Sequence, residues 1–172
     1  MLASSARPAD PHLQSIGVDI AAARDRLRDF AGGVYPATLR SDGLGPAIGD
    51  LARRSLVPVT LRAAASTRYD PAIESTLYFV CSEALANVAK HAAASRVWIE
   101  LDEDEAAANL RIDDDGVGGA NVAGGSGLRG LADRVEALGG TLAVGIRPGG
   151  GSSVTATVPR RRSSPLPMEF VA

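Results

Sequence analysis

The sequence predicts an α+β protein: a two-layer α/β sandwich whose mixed sheet of about five strands carries its helices on one face, preceded by one N-terminal amphipathic helix. Three observations lead there. Apolar residues alternate with polar ones in five short runs, the mark of strands with one buried face. Apolar residues recur at steps of three and four in longer runs, the mark of helices packed on one side. From residue 45 the order is helix, strand, helix, strand, strand, helix, strand, strand, which lacks the regular alternation of a doubly wound fold. The chain has 172 residues, 45% apolar and 22% charged, enough for one domain with a core and an appendage.

Residues 1–9 are small and polar and are expected to be disordered. Asp10-Pro11 then supplies a capping carboxylate and a first-turn proline. Leu13, Ile16, Ile20, Ala23, Leu27, Phe30 and Val34 follow as a heptad stripe, so residues 10–36 read as a helix packing lengthwise on another helix. It serves either its own domain or a dimerising helical hairpin, and its position ahead of the α/β pattern favours the hairpin. Gly32-Gly33 and Pro36 end it. A short helix is expected over 45–54. Val57, Val59 and Leu61 then form a strand that Pro58 confines to the sheet edge. Pro71 opens a long helix reaching about His91, with Ile73, Leu77, Cys81, Ala84 and Val88 toward the core.

Strands are expected over 97–101 and 109–113, then a glycine-rich loop over 116–127. A helix over 128–138 is closed by Gly139-Gly140, and a hairpin of 142–146 with 154–158 turns at Pro148-Gly149-Gly150-Gly151. The tail over 160–172 is rich in turn formers and reads as flexible. Its Arg160-Arg161-Arg162 run reads as a solvated chain end, and a net charge of −2 gives no basic field for nucleic acid. The single cysteine excludes an internal disulfide and, among apolar neighbours, reads as a buried structural thiol. No run approaches membrane-spanning length and no signal-peptide pattern is seen, so a cytoplasmic chain without membrane contact is expected.

Chemistry concentrates at three places. Ile112-Asp113-Asp114-Asp115-Gly116-Val117-Gly118-Gly119 ends a strand in three carboxylates and turns into glycine. It suits a ligand offering hydrogen-bond donors to a carboxylate and a flat ring to bare backbone; an ordinary Asp-Gly turn is the plainer reading. Glu83, Asn87, Lys90 and His91 fall at i, i+4, i+7 and i+8 on the long helix. A carboxylate, an amide oxygen hard enough for Mg²⁺, an ammonium and an imidazole together fit a magnesium triphosphate, and a solvated helix face is the plain reading. Lys90 is the only lysine in a chain rich in arginine, a hint that a compact charge is needed there. Gly124-Gly125-Ser126-Gly127-Leu128 runs straight into a helix, whose bare first-turn amides favour anions, though it lacks the lysine of a Walker A loop.

Together these resemble the ATP-binding catalytic domain of sensor histidine kinases, in the gyrase/Hsp90/histidine kinase/MutL superfamily. Glu83-Ala-Leu-Ala-Asn87-Val-Ala-Lys90-His91-Ala resembles the N box, Asp114-Asp115-Gly116-Val117-Gly118 the D-x-G-x-G box, and Gly125-Ser126-Gly127-Leu128 the G-x-G-L box. The ordered likeness spans about residues 77–159. Gly33-Val-Tyr-Pro36, Gly43-Leu44 and Val57-Pro-Val59 further resemble the subfamily paired with regulators that carry LuxR-type DNA-binding domains.

The resemblance implies a Bergerat-type fold over 37–159 that binds ATP or ADP with Mg²⁺. Asp114 would accept the adenine amino group, and Gly116 and Gly118 would shape the base pocket. Asn87 would hold Mg²⁺, Glu83 would polarise the attacking imidazole or a water, and Lys90 and His91 would reach phosphates. Gly125, Gly127 and Leu128 would close the lid, and Ser152 would add a hydrogen bond near the base. The γ-phosphoryl would pass to a histidine on a helical hairpin outside this chain, and from there to a response regulator. His12, in Pro11-His12-Leu13-Gln14, lacks the acidic neighbour of a phosphoacceptor box, so self-phosphorylation is not expected. Residues 10–36 would be the second helix of the hairpin and a route to a homodimer. The loop before the G-x-G-L box lacks the phenylalanine box of larger kinases and is expected to order only with nucleotide. Whether a full-length kinase would be membrane-attached stays open. Two other readings remain: a serine kinase of the anti-sigma-factor kind, and a non-catalytic module switched by nucleotide.

Overall fold

The computed structural model describes residues 36–63, 68–103, 106–119 and 126–160. The chain divides into two units, Met1–Tyr35 and Pro36–Ala172, and every described residue lies in the second. The expected disorder over 1–9, the helix over 10–36 with His12 (Pro36 apart), and the tail beyond Arg160 lie outside the described residues.

Among the described residues five strands form one sheet in the order β1-β2-β3-β5-β4: β1 (Val59–Ala63), β2 (Val97–Glu103), β3 (Ala107–Asp114), β4 (Thr141–Ile146) and β5 (Ser152–Pro159). β1 runs parallel to β2, because the helix between them carries the chain back across the sheet, and the other pairs are antiparallel. The mixed sheet is the expected one. β1 lies at an edge, and Pro58 sits just before it rather than within it. There its missing N–H costs no ladder bond, while its carbonyl accepts from the Val97 N–H at 2.9 Å.

One face of the sheet is apolar: Val97, Ile99 and Leu101 of β2, Ala108, Leu110 and Ile112 of β3, and Val154, Ala156 and Val158 of β5 are buried. α3 (Pro71–Asn87) covers it with Ile73, Leu77, Val80, Cys81 and Ala84, the face its spacing predicts. Asp70 caps this helix, its carboxylate accepting from the Ala72 N–H at 2.8 Å. Burial pushes the Cys81 thiol up to about 12, so it stays protonated and serves as packing. α4 (Ser126–Ala137) adds Leu128, Leu131 and Val135, and Gly139 (φ 74°) closes it as a left-handed cap. α2 (Leu44–Arg54) buries Leu44, Ala47 and Ile48. A one-turn helix ahead of it, α1 (Ala37–Ser41), has too short a pattern to be read from sequence.

The long helix departs from expectation at its end. It stops as an α-helix at Asn87, widens into a π turn over Val88–Ala92, and finishes with Ala93 in the left-handed region (φ 47°). Val88 and Ala92 are both buried, and that spacing of four suits an ordinary helix equally well, so the sequence carried no signal for the widening.

At the other end of α3, Glu74 is fully buried. It accepts from Arg68 Nε at 2.9 Å, from a second Arg68 nitrogen at 3.2 Å and from the Tyr69 N–H at 3.1 Å. The same guanidinium donates to the Arg40 and Ser41 carbonyls at the end of α1. Glu74→Gln keeps one acceptor for Tyr69 but removes the charge that holds Arg68. It is expected to cost about 1–2 kcal/mol, read as a lower urea midpoint at unchanged slope.

The other face of the sheet is polar. Arg147 lies over the Trp98 ring at 4.1 Å, and Arg111 donates to Asp113 at 3.0 Å. Among the described residues no helix is long and apolar enough to cross a membrane.

Candidate functional site

A cavity of about 280 Å³ opens where the C-terminal end of α3 meets the end of β3 and the start of β5. It sits at the low end of small-molecule sites, roughly 300–1,000 Å³, and suits a group the size of a purine. Its walls are mainly apolar: Ala84, Val88 and Ala92 from the helix side, Ile112 and Val154 from the sheet, and Leu128 from α4.

The polar groups converge from separate elements. Asp114 is buried and lines the cavity. Its Oδ1 accepts from the Gly116 N–H at 2.8 Å, and among the described residues no donor reaches its second oxygen. A buried carboxylate oxygen facing a cavity needs a donor from whatever fills that cavity. Ser152, also buried, brings its hydroxyl to the same wall. Glu83, Asn87 and His91 line the α3 side, and Gly118 and Gly127 also border the space.

Alternation along β3 sorts the three aspartates. Asp114 shares the inward parity of Leu110 and Ile112, whereas Asp113 points to the open face, beneath Arg111 and near Arg147. Asp115 turns to neither side. Its Oδ1 accepts from the Ser95 and Arg96 N–H groups at 2.8 and 2.9 Å, and its Oδ2 accepts from Ser95 Oγ at 2.6 Å. These bonds, led by the Ser95 hydroxyl, bring its carboxyl down from the ordinary 3.8 to about 2. The depressed value means that the ionised form favours the folded chain. That stability is full above about pH 4 and is lost as pH falls through about 2. Because the carboxylate is exposed, its share of the acid limb is small, and Asp115→Asn is expected to flatten that limb only slightly in this window, measured by denaturant midpoint against pH.

Glycine makes the close approaches possible. A Cβ on Gly116 would run into the Ala92 carbonyl, and one on Gly151 (φ 90°) into the Asp114 carbonyl. A Cβ on Gly127 would meet the Glu83 carboxylate, so Glu83 lies directly against the first turn of α4. Carboxylate there suits the positive end of that helix.

Of the residues singled out from sequence, the structure brings Glu83, Asn87, His91, Asp114, Gly118, Gly127, Leu128 and Ser152 to one cavity. Gly116 stands behind it, packed on Ala92. Lys90 is exposed on the π turn and does not line the cavity, and Gly125 lies outside the described residues. Sequence reasoning missed the Ala92 carbonyl and the grip of Asp115 on residues 95 and 96. It also missed the Gly151 contact, for which the triple glycine at 149–151 was the available signal.

Asn87 presents a carboxamide oxygen, a hard donor that suits Mg²⁺. Among the described residues no three His, Cys, Asp or Glu side chains form a metal-binding group. A divalent ion here would therefore take most of its ligands from a bound polyphosphate and water.

Residues 72–162 match the family described as histidine kinase-, DNA gyrase B-, and HSP90-like ATPase. The chain is 34% identical over 146 residues to the signal transduction histidine-protein kinase/phosphatase UhpB of Salmonella typhimurium, covering 80% of this chain and 29% of that protein. It is 30% identical over 164 residues to the sensor histidine kinase NarS of Mycobacterium tuberculosis, covering 90% of this chain and 38% of that one. It thus spans about a third of the length of these relatives. Among solved structures, the ATP binding domain of PrrB from Mycobacterium tuberculosis superposes with a TM-score of 0.53 at 24% identity, over 68% of this chain and 90% of that one. A histidine kinase domain from Erythrobacter litoralis gives 0.55 at 23% identity, over 67% and 57%. At such identities the structural likeness bears on the fold alone.

Proposed function

The chain belongs to the histidine kinase-, DNA gyrase B- and HSP90-like ATPase family, and from that premise we propose that it is the catalytic, ATP-binding portion of a protein-histidine kinase working with Mg·ATP. One observation carries the reading. A buried Asp114 oxygen with no donor among the described residues faces a purine-sized cavity, whose far wall carries Glu83 and Asn87 from α3 and His91 from the π turn.

In this reading Asp114 accepts the exocyclic amino group of adenine, and Ser152 supplies a second hydrogen bond at the base edge. Gly118 leaves the ring plane room against bare backbone. Asn87 would hold Mg²⁺ through its amide oxygen, and His91 would reach the phosphates at the cavity mouth. Mg²⁺, when bound, neutralises charge on the phosphate oxygens. Gly127 and Leu128 close over the polyphosphate. Lys90, on the π turn, reaches phosphate only if its long side chain swings back toward the mouth. A histidine nitrogen outside this chain attacks the γ-phosphorus. The N–P bond forms, the bond from that phosphorus to the β-phosphate oxygen breaks, and ADP leaves with the bonding pair. Glu83 receives the ring proton directly or through water. Positioning and charge neutralisation supply the rate.

The phosphoacceptor hairpin and a response regulator are the partners this assigns. The motif at Gly43-Leu44 and Val57-Pro-Val59 supports a regulator of the LuxR type, and the heptad stripe over 10–36 supports a dimer through the hairpin. The test is calorimetric titration of ATP and ADP with and without Mg²⁺, followed by mixing with a separate phosphoacceptor hairpin. ATP binding that strengthens with Mg²⁺ and acid-labile, base-stable label on the hairpin are expected. Label on serine would move the chain to the anti-sigma-factor kind of kinase. Binding without transfer to any partner would leave a nucleotide-switched module, and no binding would overturn the reading.

A further inference from the structure

We infer that Asp115, the residue between Asp114, which lines the cavity, and Gly116, which packs behind it, is a positioning residue for nucleotide binding: it staples the turn that leaves α3 to the end of β3. The inference rests on reading the cavity as an ATP site and names what holds that site in register.

The turn in question is unusual backbone. After the π turn, Ala93 is the only non-glycine residue with positive φ among the described residues, and the chain must reverse within four residues to enter β2 at Val97. A left-handed alanine is unfavourable alone and persists where its surroundings hold it. The Asp115 carboxylate is what holds it, accepting two consecutive backbone N–H groups, of Ser95 and Arg96, together with the Ser95 hydroxyl. The backbone repeats the link, with the Asp115 N–H donating to the Arg96 carbonyl at 3.3 Å and the Val117 N–H donating to the Ala92 carbonyl at 2.8 Å. Gly116 packs on that same Ala92 carbonyl.

The helix carrying Asn87 and His91 and the strand end carrying Asp114 therefore meet through one small cluster, and Asp115 supplies its side-chain bonds. The group is exposed, so its bonds contribute little to global stability. Their effect is geometric: losing them lets the 92–96 turn shift relative to Asp114, so that the two sides of the cavity no longer meet one ligand in register. Asparagine can do the same work, its oxygen accepting both N–H groups and its amide donating to Ser95 Oγ. Alanine cannot.

The experiment compares Asp115→Ala, Asp115→Asn and, as a control, Asp50→Ala. Asp50 is another surface carboxylate stapling neighbouring elements, through Thr38 Oγ1 at 2.8 Å and Arg53, away from the cavity. ATP affinity is measured by calorimetry well below each melting temperature. Amide hydrogen exchange at Val117 is measured without nucleotide. Asp115→Ala is expected to weaken ATP at least about tenfold and to speed Val117 exchange. Asp115→Asn should stay within about threefold with native exchange, and Asp50→Ala should leave both unchanged even where it lowers the melting temperature. Unchanged Val117 exchange in Asp115→Ala, or an affinity loss no greater than that of Asp50→Ala, overturns the inference. A wild-type chain that binds no nucleotide overturns the functional reading instead, and the exchange measurement still decides what Asp115 does.

Discussion

Asp114→Asn is expected to weaken ATP and ADP binding by about thirtyfold to a thousandfold while leaving the fold intact. The substitution is nearly isosteric, and the amide oxygen can still accept from the Gly116 N–H at the position Oδ1 now holds. The other atom then becomes an NH₂ that points a donor into the cavity, where adenine also offers a donor. Two donors facing each other in a buried, mainly apolar space cost roughly 2–4 kcal/mol relative to the native pair, since the bond is lost and both groups stay dry. Calorimetric titration reads the affinity, and a thermal melt shows whether the chain remains folded. Retained affinity would place the base elsewhere and remove the role assigned to this carboxylate.

Gly151→Ala should be more damaging to the fold than any surface change. Gly151 has φ of 90°, a region that alanine rarely adopts, and its new methyl group would press on the Asp114 carbonyl and the Asp115 Cα. Neither contact is the end of a flexible side chain, so β3 and β5 must part. Strain in the left-handed region and overpacking each cost about 1–3 kcal/mol, and here they add, so a loss of about 3 kcal/mol or more is expected. Guanidinium unfolding measures it. Gly149→Ala is the comparison: its φ of 91° brings similar backbone strain with open space around the methyl group, so it should cost visibly less.

The strands were legible because period-two burial is a property of neighbouring residues. Leu110, Ile112 and Asp114 fall on one side of β3 by parity alone, which also selects Asp114 from its two neighbours. The pairing of the N box with the D-x-G-x-G box was legible from the resemblance, and eight of the named residues share the cavity. What stayed hidden depends on backbone. The π turn leaves the spacing of Val88 and Ala92 unchanged, so no pattern of side chains announces it, yet it leaves Lys90 exposed and off the cavity wall. Two of the three partners of Asp115 are main-chain N–H groups, which every residue but proline carries, and all three lie about twenty positions away in the chain. Sequence reading finds groups that differ between residues, and this part of the site is built mostly from groups that do not.

The stacked pair on the open side of the sheet has a practical outcome. Trp98 is the chain's single indole, and it sits opposite Asp113 in the ladder, one residue from the Asp114 carboxylate that lines the cavity. The guanidinium above it belongs to Arg147, whose N–H donates to the carbonyl of Gly151, the glycine leaning on Asp114. Ultraviolet emission from this one chromophore thus samples the back of the same two strands, so the unlabelled protein carries its own optical gauge of events on the far side of the sheet.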